Sequence, residues 1–435
     1  MILSRRAITG LGLCTALLFV ACSIDDDDDH ATAESGNSNS NSNDKDDEFT
    51  VESVLLGDRP SSLVAQLPAG DLKTRLESCD VSAVRPQPFS IAHRGAPLAY
   101  PEHSVEGYTA AAVQGAGVIE CDVTFTSDRA LVCRHSQCDL HTTTDILATG
   151  LARKCTVPPD LSSDIPYLSV QCCTSDLTLA EFRTLRAKRD GSNATATTID
   201  EYLAGTPGWT ADEAADYGTL LTHAESIALF NGFGVSMTPE LKEAAVAMPY
   251  QGDYTQADYA QQLIDEYKAA GISPDRVFAQ SFNLVDILYW IAAEPQFGRQ
   301  AVFLDGRYSE EGFDPADSST FEPSMQDLVE QGVNYLAPPF PLLVTLDERQ
   351  SITPSVYARE AVAVGLNLIT WTLERSGSLQ NGGGFYYSSV SPVIDDDGDT
   401  LQMLDVLARD VGVTGVFSDW PATTTFYAYC TELDG

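Results

Sequence analysis

The chain is 435 residues long and carries 63 acidic against 25 basic side chains, a formal net charge of −38 at neutral pH. So acidic a protein argues against nucleic acid as a partner, because phosphate backbones are held by positive surfaces. Any anionic substrate would need local positive charge at its site, from arginine, lysine or a metal ion.

In chain order, Arg5 and Arg6 precede an apolar run from Ala7 to Ala21. That order of charge then apolar residues is the pattern of an export signal, and the run is short for a membrane span. Val20-Ala21-Cys22-Ser23 resembles a bacterial lipoprotein cleavage site, so residues 1–22 are expected to be a signal peptide with Cys22 as the lipidated residue. An ordinary signal cut near the same point is the alternative, and Ser4-Arg5-Arg6 also resembles a twin-arginine signal. Residues 23–48 contain Asp25–Asp29, alternating Ser and Asn, and a second acidic cluster. With little apolar surface to bury, this segment is expected to be a disordered tether. The protein is then exported, periplasmic or at the cell surface, lipid-anchored or else secreted, and any membrane contact runs through that anchor. Residues 49–435 suit a barrel with insertions.

Eight cysteines follow Cys22: Cys79, Cys121, Cys133, Cys138, Cys155, Cys172, Cys173 and Cys430. An even number in an exported chain implies disulfides. Cys79 and Cys430 flank the core strands and are placed to clasp the ends of a closed barrel. Cys138, Cys155, Cys172 and Cys173 are expected to staple an insertion, with the pairing open. A zinc site is the competing reading, against which stands the absence of paired C-x-x-C hooks.

From residue 88 strands and helices alternate. Pro88–His93 reads as a strand, Ser104 as the cap of a helix over 105–114, and Val118–Thr124 as a strand paired with Ala130–His135 in a hairpin. A polar, Cys-rich stretch at about 138–218 reads as irregular. Strands ending at Glu240, Ser281, Leu304, Ala337, Thr372 and Ser418 then alternate with helices. Eight core strands with intervening helices predict an α/β fold of the (β/α)8 TIM-barrel type, with a long Cys-rich insertion after the second-strand hairpin. Such barrels carry their chemistry at the C-terminal strand ends.

Glu120 and Asp122 lie two apart on one strand, so both carboxylates share a face, about 6–7 Å apart along the chain. Facing into a barrel mouth, they would repel each other unless a cation sits between them. An ordinary solvated edge is the bland alternative, and the apolar flanks Val118-Ile119 and Val123 argue against it.

The ordered set His93-Arg94-Gly95, Pro101-Glu102-His103-Ser104, Glu120-Cys121-Asp122, Thr126-Ser127-Asp128, His135 and Leu140-His141-Thr142-Thr143 resembles the glycerophosphodiester phosphodiesterase family. Pro239-Glu240-Leu241-Lys242, Gln280-Ser281-Phe282, Trp371-Thr372 and Gly415 to Pro421 resemble its later strand ends, so that the similarity runs over about residues 88–425. The resemblance implies metal-dependent hydrolysis of small glycerophosphodiesters to sn-glycerol 3-phosphate and an alcohol. Glu120, Asp122 and Glu240 would bind a divalent ion, Ca²⁺ or Mg²⁺, as all-oxygen ligands suit hard cations. His93 and His135 would be the acid/base pair, with His93 read as base and His135 as acid. Arg94 and Lys242 would hold the substrate phosphate, Glu102 would orient the ion's waters or His93, and Trp371 would touch substrate. The attacking group, water or a glycerol hydroxyl, stays open.

The chain departs from the family at Ser136, His103 and His141, which stand where an acidic residue, an Asn and an Arg are usual; His103 and His141 are expected to support rather than catalyse. His223 and Trp290 read as structural. Asp395–Asp399 reads as an exposed turn, with a small calcium loop as the alternative. Two other functions compete: a sphingomyelinase D-like lyase that forms a cyclic phosphate, and a non-catalytic surface protein on a decayed barrel.

Overall fold

Eight parallel strands close into a barrel because each is apolar on the face that its helix covers, and most of the long helices begin at a side-chain cap. In this computed structural model residues 53–210, 215 and 217–433 are described. The expected signal segment with Cys22, and the tether at 23–48, lie outside them. The strands are β1 (Gln87–Ala92), β2 (Ala116–Phe125), β3 (Leu131–Cys133), β4 (Arg186–Lys188), β5 (Tyr217–Thr219), β6 (Ser236–Leu241), β7 (Gln280–Ser281), β8 (Val302–Leu304), β9 (Tyr335–Ala337), β10 (Val344–Leu346), β11 (Ile352–Pro354), β12 (Asn367–Leu373) and β13 (Gly415–Ser418). The main sheet runs β1-β13-β12-β9-β8-β7-β6-β2, and β1 pairs with β2 to close it; β3 adds antiparallel to β2. This is the TIM barrel expected from the strand count.

Side chains fill the barrel interior: Ile91, Val118, Val302, Leu304, Ala337, Ile369 and Phe417 form one buried cluster. A larger cluster lies between the strands and the outer helices. Ser104 caps the helix Val105–Val113, and Thr222 with Glu225, and Thr255 with Asp258, form reciprocal caps on the next two long helices. His223 sits in the first turn of its helix, buried, its Nδ1 2.8 Å from Glu266, and Trp290 is fully buried with its indole N–H donated to Ala260.

Among the described residues four disulfides are formed. Cys79–Cys430 ties the segment before β1 to the last helix, Pro421–Cys430, and Cys121–Cys133 links β2 to β3. Cys138–Cys173 and Cys155–Cys172 staple the stretch between β3 and β4. The Cys-rich stretch is less irregular than its composition suggests. Leu140, Ile146, Leu147, Phe182, Leu185 and Tyr202 belong to a separate buried cluster, and β4 pairs with β5. At Asp395–Asp399, the Asp399 carboxylate accepts the Asp395 and Asp396 N–H groups, so the run is a turn closed by its own last residue ahead of the helix Asp399–Asp405. Among the described residues no helix is long and apolar enough to cross a membrane.

Candidate active site

Strand register assembles the acidic centre. Glu120 and Asp122 share a face of β2, and β6 pairs in parallel so that Glu240 lies level with Asp122. Ligand oxygens of the three buried carboxylates lie within 4.8 Å of one another. Asp122 Oδ1 is buried and has no hydrogen-bond partner. Three crowded oxygen donors and an orphaned carboxylate oxygen fit a hard divalent cation, and a buried anion without a partner is costly otherwise. With no cation the three separate in affinity for protons. Burial, then Asp122 and Glu240, push Glu120 well above the usual carboxylate range. Burial drives Glu240 up to about 7 against the pull of Lys242. Asp122 is held well below its ordinary value because Lys242, His103 and Arg94 outweigh its burial.

The end of β1 turns sharply. Arg94 has φ 58°, and Gly95 follows at φ 101°. A side chain at Gly95 would put its Cβ 2.9 Å from the Gly107 backbone, so glycine is required there. The turn aims the Arg94 N–H at Glu120 Oε2 (2.9 Å) and the guanidinium at Glu102 Oε2 (3.0 Å). His93 Nδ1 lies 2.6 Å from Asp419 Oδ1, which leaves Nε2 facing the triad, 4.0 Å from Glu120 Oε2. Burial and Arg94 lower the His93 pKa to about 4 against the pull of Asp419.

Arg375 organises this side of the site. It donates to Asp419 Oδ2 and to Glu102 Oε1, both at 2.8 Å, and its guanidinium stacks 4.4 Å from the ring centre of Trp209 in the insertion. Both oxygens of Glu102 are therefore taken by arginines, and its route to His93 runs through Arg375 and Asp419. Of the two roles expected for Glu102, these contacts support a link to His93. His103, also at positive φ (52°), bridges Tyr108 (2.8 Å) and Asp122 Oδ2 (2.9 Å), and so it holds a member of the acidic centre directly. His141 sits away in the insertion, accepting weakly from the Cys172 N–H at 3.4 Å.

A cavity of about 260 Å³ is lined by His93, Arg94, Glu120, His135, Glu240 and Lys242 on one side and by Phe282, Trp371 and Tyr386 on the other. The structure thus gathers both histidines, both phosphate-binding candidates, two of the three acidic residues and Trp371 around one space, with Asp122 behind it and Glu102 beneath Arg94. Lys242 Nζ is 2.5 Å from Glu240 Oε1. The His135 imidazole makes no hydrogen bond to the described residues; burial, Arg94 and Lys242 press its pKa well down. Arg375, Asp419 and Gln280 were not among the expected site residues. Gln280 donates to Glu120 Oε1 at 2.8 Å. Asp419 and Gln280 fall within the strand-end motifs, so a signal was present without a role attached to it; Arg375 follows β12 with no local pattern to mark it.

The sequence model of the glycerophosphoryl diester phosphodiesterase family matches residues 93–423. The chain belongs to that family. It is a glycerophosphodiester phosphodiesterase by family and a TIM barrel by fold. An "Extracellular protein" of Arthroderma benhamiae is 48% identical over 248 residues, 56% of this chain and all of that one. A Mycobacterium tuberculosis protein, "Probable glycerophosphodiester phosphodiesterase 1", is 50% identical over 50 residues, 12% of this chain and 18% of its own length. A Silicibacter pomeroyi crystal structure named as a glycerophosphoryl diester phosphodiesterase superposes with a TM-score of 0.50 at 18% identity, covering 78% of this chain and 93% of the other; that likeness concerns the fold.

Proposed function

We propose that the enzyme hydrolyses glycerophosphodiesters to sn-glycerol 3-phosphate and an alcohol, with Glu120, Asp122 and Glu240 holding Ca²⁺ or Mg²⁺. The observation that carries this reading is the orphaned Asp122 oxygen inside a carboxylate triad, faced by two imidazoles across one cavity. The bound ion would supply positive charge to the phosphoryl oxygens. Arg94 and Lys242 add the rest of the charge that an acidic protein needs to accept an anionic diester. Asp419 fixes the proton of His93 on Nδ1, which leaves Nε2 as the basic atom turned to the cavity. His93 is therefore the base that takes the proton of the attacking hydroxyl, and His135, with no hydrogen-bond partner among the described residues, is the acid that protonates the departing alkoxide.

The four disulfides favour an oxidising compartment, and we propose export. The intact mass of the mature protein separates a diacylated Cys22 from a plain cleaved end. Catalysis is tested on glycerophosphocholine. His93→Ala and His135→Ala are each expected to lower kcat by roughly 10²–10⁴-fold. Full turnover by either variant would remove that histidine from the mechanism.

A further inference from the structure

Five aromatic side chains from four separate segments gather at the mouth of the catalytic cavity, and the acid/base, metal and phosphate-binding roles above use none of them. Phe282 follows β7, Tyr308 follows β8, Trp371 lies on β12, and Phe385 and Tyr386 belong to the turn Gly384–Tyr387. Trp371, Tyr308, Phe385 and Tyr386 touch in a closed circuit, and Phe282 joins it at Trp371. The ring centres are 5.9 Å apart for Phe282–Trp371, 6.3 Å for Tyr308–Trp371, 5.7 Å for Tyr308–Phe385, 5.2 Å for Phe385–Tyr386 and 6.3 Å for Trp371–Tyr386. Phe282, Tyr308 and Phe385 are 44%, 38% and 48% exposed. On a chain of net charge −38, such a cluster of exposed rings beside a polar site is out of character with the rest of the surface.

Three of the rings, Phe282, Trp371 and Tyr386, line the catalytic cavity itself and give it a box-like aromatic wall rather than a flat shelf. Phe282 and Tyr386 stand at 83° and 81° to Trp371, so that adjoining walls meet nearly at right angles. A flat apolar patch would suit an acyl chain. Perpendicular rings present π faces from several directions to one compact group, the arrangement that attracts an alkylammonium. The Trp371 N–H is already donated to Ala337, so the indole offers its faces rather than its polar edge. The adjoining groove that shares Phe282 is lined by Glu240, Glu243 and Asp286 as well as by Lys242, whose Nζ lies 6.0 Å from the Phe282 ring centre.

We propose that this box is the alcohol subsite of the reaction and binds a quaternary ammonium head, which makes the enzyme selective for zwitterionic, choline-type diesters. The inference rests on the phosphodiesterase reading of the adjoining site. It also answers the charge problem: a substrate with its own cation approaches an acidic protein as a neutral whole, whereas glycerol or inositol diesters approach as anions.

The test compares glycerophosphocholine with its uncharged isostere, the 3,3-dimethylbutyl diester, in which carbon replaces the quaternary nitrogen. The wild type should turn over the choline ester on the order of ten-fold better in kcat/KM. Phe282→Leu and Phe385→Leu, both at exposed positions, should each erode that ratio toward one by lowering kcat/KM for the choline ester more than for the isostere. Choline alone, titrated calorimetrically into the full chain, should bind, and bind more weakly to Phe282→Leu. Equal or better turnover of the isostere would overturn the proposal, as would faster turnover of lysophosphatidylcholine than of glycerophosphocholine, which would assign the rings to an acyl chain. Failure of every glycerophosphodiester to react would instead strike the phosphodiesterase reading itself.

Discussion

Two of the disulfides should behave in opposite ways when removed, one affecting stability and the other affecting catalysis as well. Cys79–Cys430 closes a loop with a sequence separation of 351, Cys121–Cys133 one of 12. Loop-closure entropy makes the long link worth about 6 kcal/mol and the short one about 3 kcal/mol at 25 °C. The long link lies at the N-terminal end of the barrel strands: Cys79 precedes β1, and Cys430 ends a helix that starts after β13. The catalytic residues lie at the other end. The double variant Cys79→Ser/Cys430→Ser is therefore expected to unfold roughly 10 °C lower while retaining kcat/KM at 25 °C within about two-fold. Cys121, in contrast, sits between Glu120 and Asp122, and Cys133 lies two residues before His135. Cys121→Ser/Cys133→Ser should lower Tm by about half as much and reduce kcat about ten-fold through misplacement of those groups. Differential scanning calorimetry and steady-state kinetics on both double variants read the two quantities separately. A smaller Tm loss for the long link than for the short one, or loss of activity at 25 °C in a folded Cys79→Ser/Cys430→Ser protein, would refute the reasoning.

Arg375 ties Asp419 to Glu102, so Arg375→Met should lower kcat by about 10–100-fold with KM nearly constant, measured on glycerophosphocholine. A change confined to KM would make Arg375 a binding group instead. Trp209→Ala removes the ring over that guanidinium and should give the same signature at reduced size, about 0.5–2 kcal/mol in transition-state stabilisation. Burial raises the Asp139 pKa from 3.8 to about 6. A folded-state pKa above the unfolded one means that the neutral form's stabilisation is complete below about pH 4 and is lost as pH rises through about 6. Asp139→Asn should thus match the wild type in denaturant midpoint at pH 4 and exceed it at pH 7; an equal gain at both values would contradict the assignment.

The barrel was legible because each strand carries its own apolar pattern and most of the long helices their own cap, and both are local signals. Register was not. Glu240 and Asp122 are 118 positions apart, and only the pairing of β6 on β2 sets them side by side. The family resemblance gave reason to expect their convergence, whereas neither strand alone carries a sign of it. β7 proved short: the strand predicted to end at Ser281 is regular only at Gln280–Ser281, preceded by an isolated parallel bridge from Val277 to Met237, since a 3-10 turn at Pro274–Arg276 takes up its start. The closing helix Pro421–Cys430 gave little signal because Thr423, Thr424 and Thr425 are poor helix formers. Burial overrides that preference, and the Thr424 and Thr425 hydroxyls find partners in Pro421 O and Ser90 Oγ. Arg375 was illegible for a related reason. Its partners Glu102 and Asp419 come from opposite ends of the chain, and nothing beside it in sequence marks it as charged for a purpose.

Cation dependence of the carboxylate triad is the claim on which the mechanism stands. The direct measurement is titration of Ca²⁺ and of Mg²⁺ into chelator-treated wild type and Glu120→Gln, with bound ion followed calorimetrically and glycerophosphocholine turnover followed in parallel. The wild type is expected to bind one such ion per chain at the triad and to regain turnover in proportion to occupancy, while Glu120→Gln loses both. Full turnover in the presence of chelator, or undiminished ion binding by Glu120→Gln, would contradict it.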